Sequence, residues 1–398
     1  MLIRHSFRAA SFVVSLLATT ILAPAQARSP AEKVIYSFQG AVAGDGAEPR
    51  AGLIDVGGML YGTTIQGGAH GYGTVFKVTT AGAEAVLYSF RGLPNSDGDG
   101  PRAGLIDVAG TLYGTTEGGG SSQLGTVFKV TLAGAETVLY SFGGPATNDG
   151  AFPYAGLVNL GGTLYGTTLN GGQSDGGIVF KVTRAGVETP LHSFGSNTTG
   201  DGLSPFSGLM ALGGTLYGTT LEDTGVGQGT VYAVSPGTRK APATETVLYT
   251  FQGGGDGVLP VGGLVNVNGT LYGTTSGGGT VGNGYGTVFK VGPGGLGYAA
   301  IYSFQGQEAG DGAAPYAGLI DVNGTLYGTT TQGGVNGYGT VFKVTPAGVE
   351  TVLHSFQGQG AGDGAYPYAG LIKVGGMLYG TTQQGGASGY GTVFAIKL

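Results

Sequence analysis

Leu60-Tyr61-Gly62-Thr63-Thr64 decides the fold, because the chain returns to it six more times. The copies are Leu112–Thr116, Leu164–Thr168, Leu216–Thr220, Leu271–Thr275, Leu326–Thr330 and Leu378–Thr382. Successive copies lie 52, 52, 52, 55, 55 and 52 residues apart. A fixed period of this size marks a repeat architecture. Around each copy the pattern is the same. A turn-rich segment leads to Gly52-Leu53-Ile54-Asp55-Val56, and Gly57-Gly58 turns the chain into Met59–Thr64. A glycine-rich loop then leads to Gly73–Val78, and Thr79–Ala83 turns the chain into Val86–Phe90. β-Branched and aromatic runs between glycine turns read as strands, and no stretch has a helical period.

Four short antiparallel strands per unit are the signature of a propeller blade. The sequence therefore predicts an all-β, seven-bladed β-propeller of four-stranded antiparallel blades. Third strands of the Gly-Thr-Val-Phe type begin at Gly73, Gly125, Gly177, Gly229, Gly286, Gly339 and Gly391. Fourth strands centre on Tyr36, Tyr88, Tyr140, His192, Tyr249, Tyr302 and His354. The chain thus opens on an orphan fourth strand and ends on a third. The expectation is that Val34–Phe38 closes the last blade beside Gly391–Leu398, removing two exposed edges.

Composition narrows the class. Glycine is 87 of 398 residues, without a Gly-X-Y period, so collagen is excluded and the glycines serve turns and close packing. Only 10% of residues are charged and the net charge is −6 with no basic run, which argues against nucleic acid. There are no cysteines, hence no disulfide, thiolate nucleophile or cysteine metal site. Arg4 and Arg8, the apolar run Ser11–Ala23 and Ala25-Gln26-Ala27 read as a signal peptide over residues 1–27. The propeller then occupies 28–398. The apolar run is short for a membrane span, and no other stretch approaches the roughly 20 residues a span needs. An exported monomer, periplasmic or extracellular, is expected, with no membrane span after cleavage.

Within the strand, Leu60, Gly62 and Thr64 face one way and Tyr61 and Thr63 the other. A mid-strand glycine is costly unless something approaches closely. Gly62 and its equivalents are expected to make room for Phe76 and its equivalents. Topology puts the loop before each Gly-Leu strand and the loop before each Gly-Thr-Val-Phe strand on one rim. That rim carries the longer loops and is the expected binding face.

The first rim loop always contains Asp-Gly-x-x-Pro-x-x-Gly, with Asp45, Asp97, Asp149, Asp201, Asp256, Asp311 and Asp363. A recurring Asp-Gly is expected to bond the backbone of its own turn. The calcium alternative is weak, because such a site needs six to eight oxygens. Asp97 and Asp99 are the densest spot. Five residues after each Asp comes a variable position: Arg50, Arg102, Tyr154, Phe206, Val261, Tyr316 and Tyr368. Arginine and aromatic side chains around a concave mouth suit protein or sugar recognition, with packing between blades as the alternative. Arg50, Arg102, Tyr154, Phe206, Tyr316 and Tyr368 are the candidate ligand-binding residues. The second rim loop carries Gln66, Glu117, Asn170, Glu222, Gln332 and Gln383. Its glycines do not make a phosphate loop, since no Lys-Ser/Thr or helix follows.

No Ser/His/Asp set or His-Glu-x-x-His appears. Glycosidase chemistry needs two placed carboxylates, and carboxylates off the repeat are few: Glu117, Glu222 and Asp223. No catalytic residue, cofactor or resident metal is expected.

The unit Gly-Leu-Ile-Asp-Val-Gly-Gly-Thr-Leu-Tyr-Gly-Thr-Thr, followed by Gly-Tyr-Gly-Thr-Val-Phe-Lys-Val-Thr and Glu-Thr-Val-Leu-Tyr-Ser-Phe, resembles the GloVer tandem repeat. The match covers all seven units. The resemblance implies an exported bacterial protein and supplies no catalytic residues. The function expected is a binding or scaffolding module working through the propeller rim on a protein or glycan. A secreted polysaccharide-acting hydrolase or lyase, and a purely structural surface protein, are the alternatives.

Overall fold

The computed structural model describes residues 32–195, 200–225, 227–238, 240–280 and 284–398. The expected signal peptide lies outside the described residues. Blade 1 consists of Ile54–Val56, Met59–Thr64, Thr74–Thr79 and Glu84–Ser89, hydrogen-bonded in that order. Blades 2 to 6 repeat this antiparallel order. Blade 7 is built from Ile372–Val374, Met377–Thr382, Thr392–Lys397 and the first described strand, Glu32–Ser37. Val34 pairs with Phe394 and Tyr36 with Val393, so the two ends of the chain share one sheet. Phe38, just past that strand, is wholly buried.

The repeated motif assigns a separate task to each residue. Leu60 is fully buried in the core between blades. Gly62 lies opposite Phe76, and a Cβ there would come 2.7 Å from Phe76 Cζ and 2.9 Å from Leu53 Cδ2. The expected aromatic neighbour is therefore present, and an inner-strand leucine shares the space. Thr63 Oγ1 donates to Ala103 O of blade 2 at 3.0 Å. Thr64 Oγ1 bonds Thr74 Oγ1 at 2.8 Å within the blade. The between-blade bond recurs around the ring and closes it, Thr381 donating to Ala51 O at 3.0 Å.

A second joint lies nearer the rim. Gly73 sits at a φ of 93°, and a Cβ there would meet Pro101 Cδ of the next blade at 2.7 Å. Gly391 and Pro49 make the same contact across the seam. The innermost strands meet through glycine as well. A Cβ on Gly104 would lie 3.2 Å from Gly52 O, and one on Gly156 3.0 Å from Gly104 O. The channel is thus drawn in until backbone meets backbone.

Two features go beyond the sequence reading. The third and fourth strands of blade 1 slip register between Val75 and Phe76, a bulge that every blade repeats. The two rim loops also pair with each other: Gly46–Ala47 with Gln66–Gly67 in blade 1, with equivalents in most blades. That pairing places both loops on one rim, as the topology requires.

Candidate functional site

The variable rim positions meet at the mouth of the channel. Arg50, Arg102, Tyr154, Phe206, Tyr316 and Tyr368 line one cavity of about 370 Å³. Val261, the seventh position, is buried and does not line it. Each lining residue stands at the entry to an innermost strand, two residues before the closely packed glycine.

Contacts link the six side chains into two runs. In one, the Arg50 guanidinium lies 4.8 Å above the Tyr368 ring, and Tyr368 meets Tyr316 edge-on at 5.2 Å. In the other, the Arg102 guanidinium lies 5.0 Å above the Tyr154 ring, and Tyr154 leans on Phe206 at 5.3 Å. Cation–π contacts of this kind hold an arginine in place without using its donors. Glu117 clamps the second run. Its Oε2 pairs with Arg102 Nε, and its Oε1 accepts the Tyr154 hydroxyl at 2.6 Å. Burial first, and then the bond to Glu117, push the Tyr154 hydroxyl above the usual phenol range. It stays a proton donor.

The first run is held more loosely. Glu48 Oε2 lies 3.8 Å from Arg50 Nη2 and accepts Gln383 Nε2 at 2.9 Å. Arg50 Nε is buried and meets no acceptor among the described residues. Glu48 sits at a φ of 56°, a conformation non-glycine residues rarely adopt. Its backbone is pinned there: its N–H donates to Tyr390 O, and its carbonyl accepts from Ile65 N.

Sequence reasoning brought together the six lining residues but missed Glu48. The signal was available. At its register the other blades have Gly100, Phe152, Ser204, Leu259, Ala314 and Tyr366, so Glu48 is the one carboxylate. Asp99 is likewise the one carboxylate at its register, as is Glu117. These departures from the repeat gather on the arc formed by blades 7, 1 and 2. Asp99 and Glu117 both border a notch of about 470 Å³ beside the mouth. Burial, and then the Glu117 charge, hold the Asp99 carboxyl above the usual range.

The repeated aspartates do different work. Asp45 Oδ2 accepts the Tyr36 hydroxyl and Gln39 N, both at 2.8 Å, and its Oδ1 accepts Gly46 N at 2.6 Å. Asp97 makes the same three bonds through Tyr88, Arg91 and Gly98. Each ties a fourth strand to the loop that follows it. A glutamate of the next blade comes up beside this pair: Glu84 beside Tyr36 and Asp45, Glu136 beside Tyr88 and Asp97. Desolvation, with the aspartate charge adding to it, pushes Glu84 and Glu136 up to about 7. Glu188 and Glu350 are raised to about 8 for the same reasons.

At two joints histidine replaces tyrosine. Ligating atoms of Glu32, His354 and Asp363, and of His192, Asp201 and Glu245, lie within 4.8 Å of one another. Asp363 is already engaged, its oxygens accepting Gln357 N, Gly364 N and His354 Nε2. That trio is a variant of the common joint rather than a set of free ligands.

The sequence profile of the Gloeobacter/Verrucomicrobia repeat matches residues 25–232 and 213–398. No curated protein matches the chain in sequence. Among solved structures, the chain is similar to a puromycin-hydrolyzing peptidase of Mycobacterium tuberculosis, with a TM-score of 0.55 at 13% identity. That match covers 87% of this chain and 50% of the peptidase. It is also similar to an ancestral GH74 enzyme, with a TM-score of 0.56 at 13% identity, over 88% of this chain and 48% of the enzyme. The chain spans about half the length of these structures, and the likeness is one of fold. No helix among the described residues is long and apolar enough to cross a membrane.

Proposed function

The chain belongs to the Gloeobacter/Verrucomicrobia repeat family, and from that premise we propose that it is an exported, non-catalytic binding module. Its ligand is a small molecule, or the end of a protein or glycan chain, taken up at the mouth of the propeller. One observation carries this reading. Six of the seven positions in the variable column that follows the repeated Asp line a single cavity, while the recurring Thr63 column is spent on the joints between blades. A lattice of identical joints needs no variation at position 50 and its equivalents. Half-buried aromatic rings and arginines in a concave mouth are what recognition sites use.

The test is a thermal-shift screen of residues 28–398 against glycans and metals, with and without chelator. A ligand at about a hundred times its Kd stabilises by about 2.7 kcal/mol, enough to raise the melting temperature measurably. The shift should vanish in Phe206→Ala. A panel without any shift would move the reading to the purely structural alternative.

A second reading, a polysaccharide-acting hydrolase or lyase, is favoured by the notch holding Asp99 and Glu117. Asp99 has its proton affinity raised, while Glu117 is engaged by Arg102 and Tyr154. Carboxyls in unlike environments are what acid–base chemistry uses. Release of new sugar ends from a polysaccharide panel, abolished in Asp99→Asn, would favour this reading over pure binding.

A further inference from the structure

We propose that the mouth takes a hydroxylated ring bearing one carboxylate, an acidic sugar of the uronic type, and that the carboxylate docks on Arg50. This rests on the reading of the mouth as a binding site.

Charge comes first. Arg50 and Arg102 bring two cations to the cavity, and Glu48 and Glu117 bring two anions, but the pairs are not equivalent. Glu117 is committed on both oxygens, to Arg102 and to the Tyr154 hydroxyl. Arg102 is correspondingly neutralised and laid against Tyr154. Glu48 stands at 3.8 Å from Arg50, beyond hydrogen-bond reach, and the same oxygen already accepts Gln383. Arg50 therefore holds its position over Tyr368, and its side chain, 29% exposed at the cavity, has no carboxylate within hydrogen-bond reach among the described residues. A guanidinium offers five donors in a fixed fork that matches a carboxylate in two-point contact. Among the described residues that line the cavity only Arg50 is so placed, and a glutamate stands beside each of the two arginines. A dianion such as phosphate would meet repulsion that a single carboxylate largely escapes.

Shape and polarity complete the class. Tyr154, Phe206, Tyr316 and Tyr368 present half-buried rings to the cavity, which suit the apolar C–H faces of a sugar. The hydroxyls of Tyr154, Tyr316 and Tyr368 are placed to bond the hydroxyls of such a ring. A cavity of about 370 Å³ is at the small end of ligand pockets and suits a terminal unit rather than a long internal stretch.

The experiment is a titration followed by NMR on protein with labelled tyrosine, with Tyr316→Phe and Tyr368→Phe assigning the rim signals. The probes are galacturonate and glucuronate oligosaccharides, their neutral counterparts, and a sugar phosphate. Uronate should move the rim signals and bind about tenfold or more tightly than the neutral sugar, the scale of one charge-assisted hydrogen bond. Arg50→Gln should erase that preference while leaving the melting temperature in place. Equal binding of the neutral sugar, or tighter binding of the phosphate, overturns the carboxylate assignment and leaves the mouth standing as a site. Rim tyrosines that respond to no probe overturn both.

Discussion

Two rings of side chains run around this propeller, and they obey different rules. In one, Thr63, Thr115, Thr167, Thr219, Thr274, Thr329 and Thr381 each donate to a main-chain carbonyl of the next blade. In the other, the equivalents of Arg50 are arginine, tyrosine, phenylalanine and valine. The first ring holds one residue type because six of the seven copies meet the equivalent carbonyl, with Thr219 reaching Pro260 O instead. The second meets nearly the same backbone and still varies, so the scaffold does not dictate it. In a molecule this regular, a column that varies around one cavity is the candidate for a site.

The comparison can be broken at several points. The largest loss should come from the seam. Deleting residues 28–40 removes the strand that pairs with Thr392–Lys397 and the buried ring of Phe38. Phe38→Ala alone should cost about 3–5 kcal/mol, and the deletion more. An unaltered unfolding midpoint would mean that the ring closes some other way.

Next comes the mid-strand glycine. A Cβ at Gly166 would already lie 2.7 Å from Phe180 Cζ, so Gly166→Val should cost about 1–3 kcal/mol by overpacking. A melting temperature within a degree of the parent's would contradict the packing described. Tyr140→Phe removes the 2.7 Å bond to Asp149 and should cost about 1–2 kcal/mol in chemical denaturation.

The glutamates at the joints give a pH test. Their carboxyls are raised in the folded state to about 7 or 8. The stability that folding gains from their protonation is complete below the ordinary carboxylate range. It is lost as pH rises through 7 to 8. Melting temperature should fall between about pH 5 and about pH 9, and Glu188→Gln should flatten that slope. Partial exposure to solvent reduces the effect of each group. A profile rising over this interval would mean that the carboxylates are better accommodated than their burial implies.

The smallest effect on stability is expected at the mouth. Arg50→Gln, at a partly exposed side chain and with most of its volume kept, should stay within about 0.5 kcal/mol of the parent. A loss as large as that of Tyr140→Phe would make the variable ring part of the scaffold and remove the contrast.

Much of this was legible in the sequence because the repeat aligns the chain with itself. The period located the strands, and the surplus Val34–Phe38 located the seam. Gly62 signalled a close neighbour, and alternation on the strand pointed to an aromatic ring. The six lining residues were legible as one column of the repeat. Glu48 was not, because its neighbours in that column are small, aromatic or aliphatic and looked like ordinary loop filling. Its role depends on Gln383, more than 300 residues away. The joint glutamates were illegible for a different reason. Glu84 recurs on a strand where alternation suggests solvent, and only the preceding blade's position shows that Tyr36 and Asp45 cover it.

The seam also sets a schedule. Glu32–Ser37 is made before the other described strands, yet its partner, Thr392–Lys397, is made after them. At about 5–20 residues per second, synthesis leaves that segment unpaired for on the order of 20 to 70 s. During that interval the nascent chain carries a β-prone stretch, Val34-Ile35-Tyr36, able to pair with any open edge, including that of an earlier blade or of another molecule. Glu32 and Lys33 at its start put charge beside that stretch, as gatekeeping residues do. Assembly of the last blade is therefore a race between ring closure and mispairing, decided in the time before residue 397 arrives.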